Sequence, residues 1–163
     1  MKPLPSALVL LFALLLVPRA LRGEVVQPAP EIQWVTPTGK IEGRAAFKDQ
    51  PVVVLVAPTP RTRAFRAQLR NLREVAERLG AHKTVFIAAF TREAGSVPSN
   101  IPFVIARDGA RVGADFNAGD RFAIAIIGRD GNLDYLTHRV LPGQRVLDVV
   151  GNSYVQQTRM RRP

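Results

Sequence analysis

Residues 51–57 read Pro-Val-Val-Val-Leu-Val-Ala, and residues 82–90 read His-Lys-Thr-Val-Phe-Ile-Ala-Ala-Phe. A short turn rich in proline and threonine, at residues 58–62, and a long helical pattern separate these two apolar runs. A parallel strand covered on both faces forms a continuous apolar run, whereas a half-exposed strand alternates apolar and polar residues. The stretch therefore predicts two parallel strands joined by a crossover helix, and we expect this unit to form the core of the domain.

An amphipathic helix is predicted between these strands, over residues 61–79. Its apolar positions recur at steps of four and three residues, which is typical of a helix that packs one side on a sheet. They are Phe65, Leu69, Leu72, Ala76 and Leu79. Gly80 follows the last of them and is predicted to end the helix, because glycine is favoured just past a helix C-terminus.

A polar loop at residues 91–100 leads into two weaker elements. Residues 101–106 predict a short extended segment, which Pro102 would keep at a sheet edge because proline cannot donate to a ladder. Asp108 is predicted to cap a short helix that reaches residue 116 and is weakened by its glycines.

The last part of the chain predicts a hairpin and a helix. Residues 122–127 form another apolar run, and Asp130-Gly131 follows, a pair that tolerates the positive φ of a tight hairpin turn. We expect an antiparallel return strand at residues 133–140 and a final helix at residues 144–156. The predicted order is β-α-β-α-β-β-α.

Residues 1–23 predict a secretory signal. Lys2 precedes an apolar run at residues 7–17 that is too short to span a bilayer, and the segment ends on Gly23. Cleavage is expected after Gly23 rather than after Ala20, although a pair of small residues in the usual pattern is missing. The pattern predicts a secreted or periplasmic protein without a transmembrane segment in the mature chain.

Residues 24–50 predict an extended arm, because three prolines disfavour a helix. Residues 32–35 are expected to pair with a sheet edge or to pack Trp34 on the domain. A second short strand is predicted at residues 41–47.

The chain contains no cysteine in 163 residues, a length that suits one domain. A lipid-anchoring cysteine, a disulfide and a thiol redox centre are therefore excluded together. We expect the core alone to supply stability outside the cell.

The formal net charge is +10, and most of the basic excess is arginine, which pairs bidentately with phosphate and carboxylate. The alternative is a genomic preference for arginine without a function. The predicted helix carries four arginines on one side, a candidate basic face made of Arg63, Arg66, Arg70 and Arg73. Glu74 and Glu77 are spaced to pair with Arg70 and Arg73, so a solvated, partly neutralised face is the alternative to polyanion binding.

The element order resembles the thioredoxin-like superfamily over residues 51–154. The resemblance is carried by residues 51–57 as the first central strand and by residues 126–133, Ile-Ile-Gly-Arg-Asp-Gly-Asn-Leu, as the closing hairpin. It implies an α/β fold, a three-layer α/β/α sandwich with a mixed central sheet. More narrowly, the chain is similar to a family of short exported bacterial proteins of unknown function with a thioredoxin-like domain. The predicted organisation is a signal at residues 1–23, an arm at 24–50 with possible edge strands, the domain at 51–156 and a basic tail at 157–163.

Two departures from that family bear on function. The resemblance places a redox cysteine pair in the turn after the first central strand, where this chain has Pro-Thr-Pro-Arg-Thr at residues 58–62. It also implies a proline before the third core strand, where this chain has Gly119-Asp120-Arg121. Without a thiolate, neither disulfide exchange nor peroxide reduction of the peroxiredoxin type is chemically possible.

No metal site and no cofactor are predicted. His82 and His138 are the only histidines and lie far apart in sequence. Residues 130–134 match the first ligand positions of a calcium loop, but Tyr135 replaces its glycine and Leu141 its glutamate, so we assign a hairpin. Serine hydrolase and phosphate-loop motifs are also missing from the sequence.

The turn itself is the remaining candidate site. Two hydroxyls and two guanidinium groups at a helix N-terminus could hold an anion or a partner, and a plain helix cap is the alternative; the residues are Thr59, Arg61, Thr62 and Arg63. We predict a non-catalytic binding or accessory module with an envelope protein as partner. The alternatives are a polyanion binder that uses the basic face, and an enzyme that uses Thr59 or Thr62.

Overall fold

The computed structural model describes residues 27–93 and 95–152. The predicted signal at residues 1–23 and the basic tail at residues 157–163 lie outside the described residues, so both stay predictions. The described strands are β1 Gln33–Val35, β2 Ile41–Gly43, β3 Val52–Ala57, β4 Val85–Phe90, β5 Phe103–Ile105, β6 Ala123–Ile127 and β7 Leu133–Thr137. The helices are α1 Arg63–Arg73, α2 Ala76–Ala81, α3 Gly109–Asp115 and α4 Gly143–Gly151, with a 3-10 turn at Arg44–Phe47.

Five strands form one mixed sheet in the order β5-β4-β3-β6-β7. β3 is central, parallel to β4 and antiparallel to β6, and β6 pairs with β7 through the predicted hairpin. The βαβ crossover and the three-layer sandwich predicted from the sequence are confirmed.

The residues of β3 are shared between two cores. Every residue from Val52 to Ala57 is at most 2% exposed, which explains why the strand is a continuous apolar run. Val53 and Leu55 face α1, α2 and α4, whereas Val54 and Val56 face α3 and the N-terminal arm. The central position of β3 therefore fixes where the turn that follows it emerges.

The prediction of a single helix over residues 61–79 is wrong, because two helices occupy this stretch. Val75 leaves the helical conformation, with φ −122° and ψ 11°, and places its side chain in the core. The start of α4 packs here so tightly that a Cβ on Gly143 would lie 2.2 Å from the backbone oxygen of Asn71. The docking of α4 thus accounts for the break.

Gly80 does not end the helix, contrary to the prediction. α2 continues to Ala81, and Lys83 takes the left-handed conformation, with φ 58°. The amide groups of Lys83 and Thr84 close the end on the oxygens of Gly80 and Leu79, at 2.8 and 3.2 Å. The main chain itself therefore closes the helix, without glycine at the position of positive φ.

The arm packs on the second face of the sheet. Trp34 is 3% exposed, and its ring stacks on that of Phe47 with centroids 4.6 Å apart. The second strand predicted at residues 41–47 is shorter than expected, because residues after Gly43 form a 3-10 turn that brings Phe47 onto Trp34. β1 and β2 pair with each other, and Trp34 forms a single bridge to Ala106 beyond β5.

Asp108 caps α3 as predicted, accepting a hydrogen bond from the Arg111 amide at 2.9 Å. Gly109, which we expected only to weaken the helix, is required by packing: a Cβ there would lie 1.9 Å from the Phe90 oxygen. The return strand is shorter than predicted. The last helix is found over Gly143–Gly151, and residues 153–156 of the predicted helix lie outside the described residues. Within the described parts of the chain, no helix is long and apolar enough to cross a bilayer.

Candidate functional site

The turn at residues 58–62 follows the C-terminal end of the central strand β3. Thr62 Oγ1 accepts a hydrogen bond from the Thr59 amide at 3.3 Å, and Thr59 Oγ1 accepts one from the Arg61 amide at 3.2 Å. Both hydroxyls thus hold the turn itself, and no side chain caps the first turn of α1. Neither threonine is activated as a nucleophile by a neighbouring base in these contacts.

A cleft of about 750 Å³ runs beside this turn and along α1. We call it the arginine cleft, because one wall carries four guanidinium side chains, those of Arg61, Arg66, Arg70 and Arg73. The opposite wall is the segment after β4, from Glu93 to Pro98, and Leu69 contributes to the lining between the walls.

Two contacts hold the walls of the arginine cleft together. At one end Gly95 lies against Pro60, where a Cβ on the glycine would be 2.6 Å from the proline Cγ. At the other end Arg73 Nη2 donates a hydrogen bond to the Pro98 oxygen at 3.1 Å. Between these ends lie Arg66 and Arg70, both exposed.

Glu74 and Glu77, which the sequence spaces to pair with Arg70 and Arg73, form no ion pair with them among the described residues. Among the described residues, no carboxylate oxygen lies within 4.0 Å of the guanidinium groups of Arg66, Arg70 or Arg73. The break at Val75 separates Arg73 from Glu77, so their four-residue spacing no longer places them on one helical surface. Glu74 keeps helical dihedrals, with φ −64° and ψ −24°, and still forms no ion pair with Arg70. The arginine cleft therefore keeps an uncompensated positive wall.

The structure brings together part of each predicted site. Arg61 of the turn and three arginines of the basic face line the same cleft, whereas Thr59, Thr62 and Arg63 do not line it. Sequence reasoning missed the second wall, including Glu93, because that wall depends on contacts between residues more than twenty positions apart. Gly95 and Pro98 in the loop were the only signal of an ordered turn there.

A second polar cluster joins the end of β4 to the turn before β6. Arg92 Nη2 donates to Asp120 Oδ2 at 2.6 Å, and the Thr91 hydroxyl donates to Asp120 Oδ1 at 3.2 Å. The hydrogen bond from Arg92 holds the pKa of the Asp120 carboxyl below its ordinary value. Arg92 is thus already paired, unlike the arginines of the cleft.

The hairpin after β6 carries two nearby carboxylates. Asp130 accepts hydrogen bonds from the Asn132 amide and side chain at 3.1 and 2.7 Å, and Gly131 has φ 82°, as the predicted turn requires. Burial, and then the charge of Asp130, raises the pKa of Asp134 to about 6. In the described ranges, no group of three or more histidine, cysteine, aspartate or glutamate side chains is arranged to hold a metal.

The chain matches no protein-family model, and no curated protein sequence matches it. Solved structures do match. The mitochondrial 2-Cys peroxiredoxin of Plasmodium falciparum has a TM-score of 0.61 and 14% identity, over 82% of this chain and 96% of that chain. The thioredoxin domain of a thiol-disulfide oxidoreductase from Bacteroides vulgatus has a TM-score of 0.58 and 14% identity, over 75% and 91% of the two chains. A secreted disulfide oxidoreductase of Mycobacterium tuberculosis has a TM-score of 0.56 and 18% identity, over 73% and 93%.

The chain has a thioredoxin-like fold. This confirms the fold predicted from the sequence, while the narrower resemblance to short exported proteins stays a prediction. At such identities the likeness concerns the fold alone. In this thioredoxin-like chain the turn after the central strand carries threonine and arginine, and none of the 163 residues is a cysteine.

Proposed function

We propose that this chain is an exported, non-catalytic module that binds an envelope protein, and that it binds this partner through the arginine cleft. The observation that carries the proposal is the uncompensated positive wall beside a turn without sulfur. Arginines without carboxylate partners favour an anionic group on the partner, because a guanidinium pairs with carboxylate or phosphate in a bidentate manner.

Export is supported by the signal pattern at residues 1–23. The test is expression of the full chain in a bacterium, followed by fractionation and N-terminal sequencing. We expect a shortened chain in the periplasm or medium, and retention in the cytoplasm once residues 1–23 are deleted. A full-length chain in the cytoplasm would overturn the export part of the proposal.

Binding at the cleft is tested by nuclear magnetic resonance on residues 24–163, titrated with inorganic pyrophosphate and with penta-glutamate as simple anionic probes. We expect amide shifts at the residues that line the cleft, and their loss in the double variant Arg66→Gln/Arg70→Gln. Arg78→Gln is the matched control, because Arg78 is exposed on α2 and does not line the cleft. Shifts that survive the double variant, or no shifts with either probe, would refute the cleft as a binding site.

A second candidate function is polyanion binding by the whole basic face of α1, including Arg63. It is favoured by the exposure of all four arginines on one side of the helix. This function requires affinity for heparin or nucleic acid that falls steeply with salt. Arg63→Gln separates the two, because Arg63 belongs to the face but not to the cleft.

A further inference from the structure

We infer that the arginine cleft binds a short extended peptide segment whose acidic side chains occupy alternate residues. This inference rests on the proposed binding function and names the class of its ligand. It is carried by three properties of the cleft: the spacing of its arginines, the charge of its second wall, and its size and lining.

The axial step from Arg66 to Arg70 is close to the repeat of an extended chain. Arg66, Arg70 and Arg73 succeed one another along α1 at axial steps of ~6 and ~4.5 Å, given the rise of an α-helix. Alternate residues of an extended peptide point to one side at intervals of ~6.6 Å. Carboxylates at alternate positions therefore meet Arg66 and Arg70, and each guanidinium group can donate two hydrogen bonds to one carboxylate.

The two walls of the cleft differ in charge. The α1 wall is lined by arginines, and the opposite wall presents the carboxylate of Glu93. A ligand with negative charge on every side, such as a sulfated polysaccharide, would place anions against Glu93, and like charges in an interface are unfavourable. An extended peptide can direct its carboxylates to α1 and neutral side chains to the other wall.

The size and lining of the cleft favour a short segment. Its volume of about 750 Å³ suits a small ligand rather than a folded domain, since such pockets measure about 300 to 1,000 Å³. Leu69, Pro60 and Pro98 add apolar lining that a peptide with apolar intervening residues can cover. The basic C-terminal sequence of this chain, with Arg159, Arg161 and Arg162, has the wrong charge to occupy it.

The test compares two synthetic peptides of one composition by fluorescence anisotropy with residues 24–163. One alternates, Glu-Val-Glu-Val-Glu, and the other is blocked, Glu-Glu-Glu-Val-Val. We expect the alternating peptide to bind about tenfold more tightly, because the blocked isomer loses about one charged contact. Equal affinities for the two isomers would overturn the inference.

Variants assign the effect to the cleft. Arg66→Gln and Arg70→Gln should each weaken the alternating peptide about tenfold, whereas Arg63→Gln should leave its affinity unchanged. Glu93→Gln should strengthen heparin binding more than it strengthens binding of the alternating peptide, because only heparin places anions directly against this wall. Because these residues are exposed, the variants should fold, and thermal unfolding checks that they do.

The outcomes separate this inference from the proposed function. Cleft shifts with pyrophosphate but no preference for the alternating peptide would overturn the inference and leave the binding function intact. An absence of cleft shifts with every anion would overturn both. Heparin binding that depends on Arg63 as much as on Arg66 would also overturn the inference, in favour of the polyanion face.

Discussion

The side-chain amide of Gln68 holds the backbone of Leu141 at both polar atoms. Gln68 Oε1 accepts from the Leu141 amide at 2.7 Å, and Gln68 Nε2 donates to the Leu141 oxygen at 3.1 Å. Gln68 is fully buried in α1, and Leu141 lies just before α4. These two hydrogen bonds join the helix that carries the arginine cleft to the C-terminal part of the domain.

Gln68→Met is expected to lower the free energy of unfolding by about 2 kcal/mol, because it leaves the buried Leu141 amide without an acceptor. Asn71 still donates to the Leu141 oxygen at 2.8 Å, so the loss is not larger. Urea unfolding measures it. The control is Gln144→Met, whose exposed bond to Asp148 should be worth less than about 0.5 kcal/mol. Equal effects of the two substitutions would contradict this role of Gln68.

The strands and turns that depend on a local pattern of residues could be predicted from the sequence. β3, β6 and the turn at Asp130-Gly131 follow from apolar runs and from the positive φ that glycine allows, and all three are found. The break at Val75 could not be predicted, because the segment that packs against it begins at Gly143, nearly seventy residues away.

One wall of the arginine cleft could likewise be predicted from the sequence, and the other could not. Periodicity on one helix places Arg66, Arg70 and Arg73 on one side, and they line one wall. The other wall depends on the hydrogen bond from Arg73 to Pro98 and on the contact between Gly95 and Pro60. Such pairings are set by tertiary packing, for which a single sequence holds no periodic signal.

Asp134 is expected to make the protein less stable as the pH rises from about 4 to about 6. Its folded-state pKa is about 6, raised by burial and by Asp130, whereas an unfolded aspartate titrates near 3.9. Between these two pKa values the folded state binds more protons than the unfolded state. The contribution of the protonated Asp134 carboxyl to the free energy of unfolding is therefore fully present below pH ~4 and is lost as the pH rises past 6. Asp134 Oδ2 is also buried without a hydrogen-bond partner.

Asp134→Asn removes that titration. Above pH 6 the variant should be more stable than the wild type by about 1 kcal/mol, a value reduced for the partial exposure of the group. Below pH 4 the two should be alike. The free energy of urea unfolding, measured from pH 3.5 to 7.5, gives both curves. Parallel curves through this range would show that Asp134 titrates normally.

Arg92→Gln is expected to raise the pKa of the Asp120 carboxyl toward its ordinary value. The cause is loss of the 2.6 Å hydrogen bond and of the positive charge next to the carboxylate. Carbon-detected magnetic resonance of the Asp120 carboxyl against pH measures the shift. Arg121→Gln is the control, since Arg121 lies next to Asp120 in sequence but donates to it in no described contact. If both substitutions raised the pKa of Asp120 equally, the cause would be the loss of a nearby positive charge and not the loss of the hydrogen bond from Arg92.

Two glycines in helices should respond to alanine with opposite signs. At Gly109 a Cβ would lie 1.9 Å from the Phe90 oxygen and 2.7 Å from its nitrogen, so α3 must move off the end of β4. We expect Gly109→Ala to cost about 3 kcal/mol, the range of severe overpacking. At Gly80, inside α2, nothing lies within 4 Å of the added Cβ. Gly80→Ala should therefore stabilise the protein by about 0.5 to 1 kcal/mol, because alanine loses less backbone entropy in a helix.

Thermal and urea unfolding of the two variants measure this difference. It also probes the cleft, since α3 packs against the end of β4, from which the second wall begins. Gly109→Ala should broaden the amide signals of Thr91 to Glu93, whereas Gly80→Ala should leave them unchanged. If Gly109→Ala proved neutral, the end of β4 would not be fixed by the close approach of α3, and the second wall would need another support.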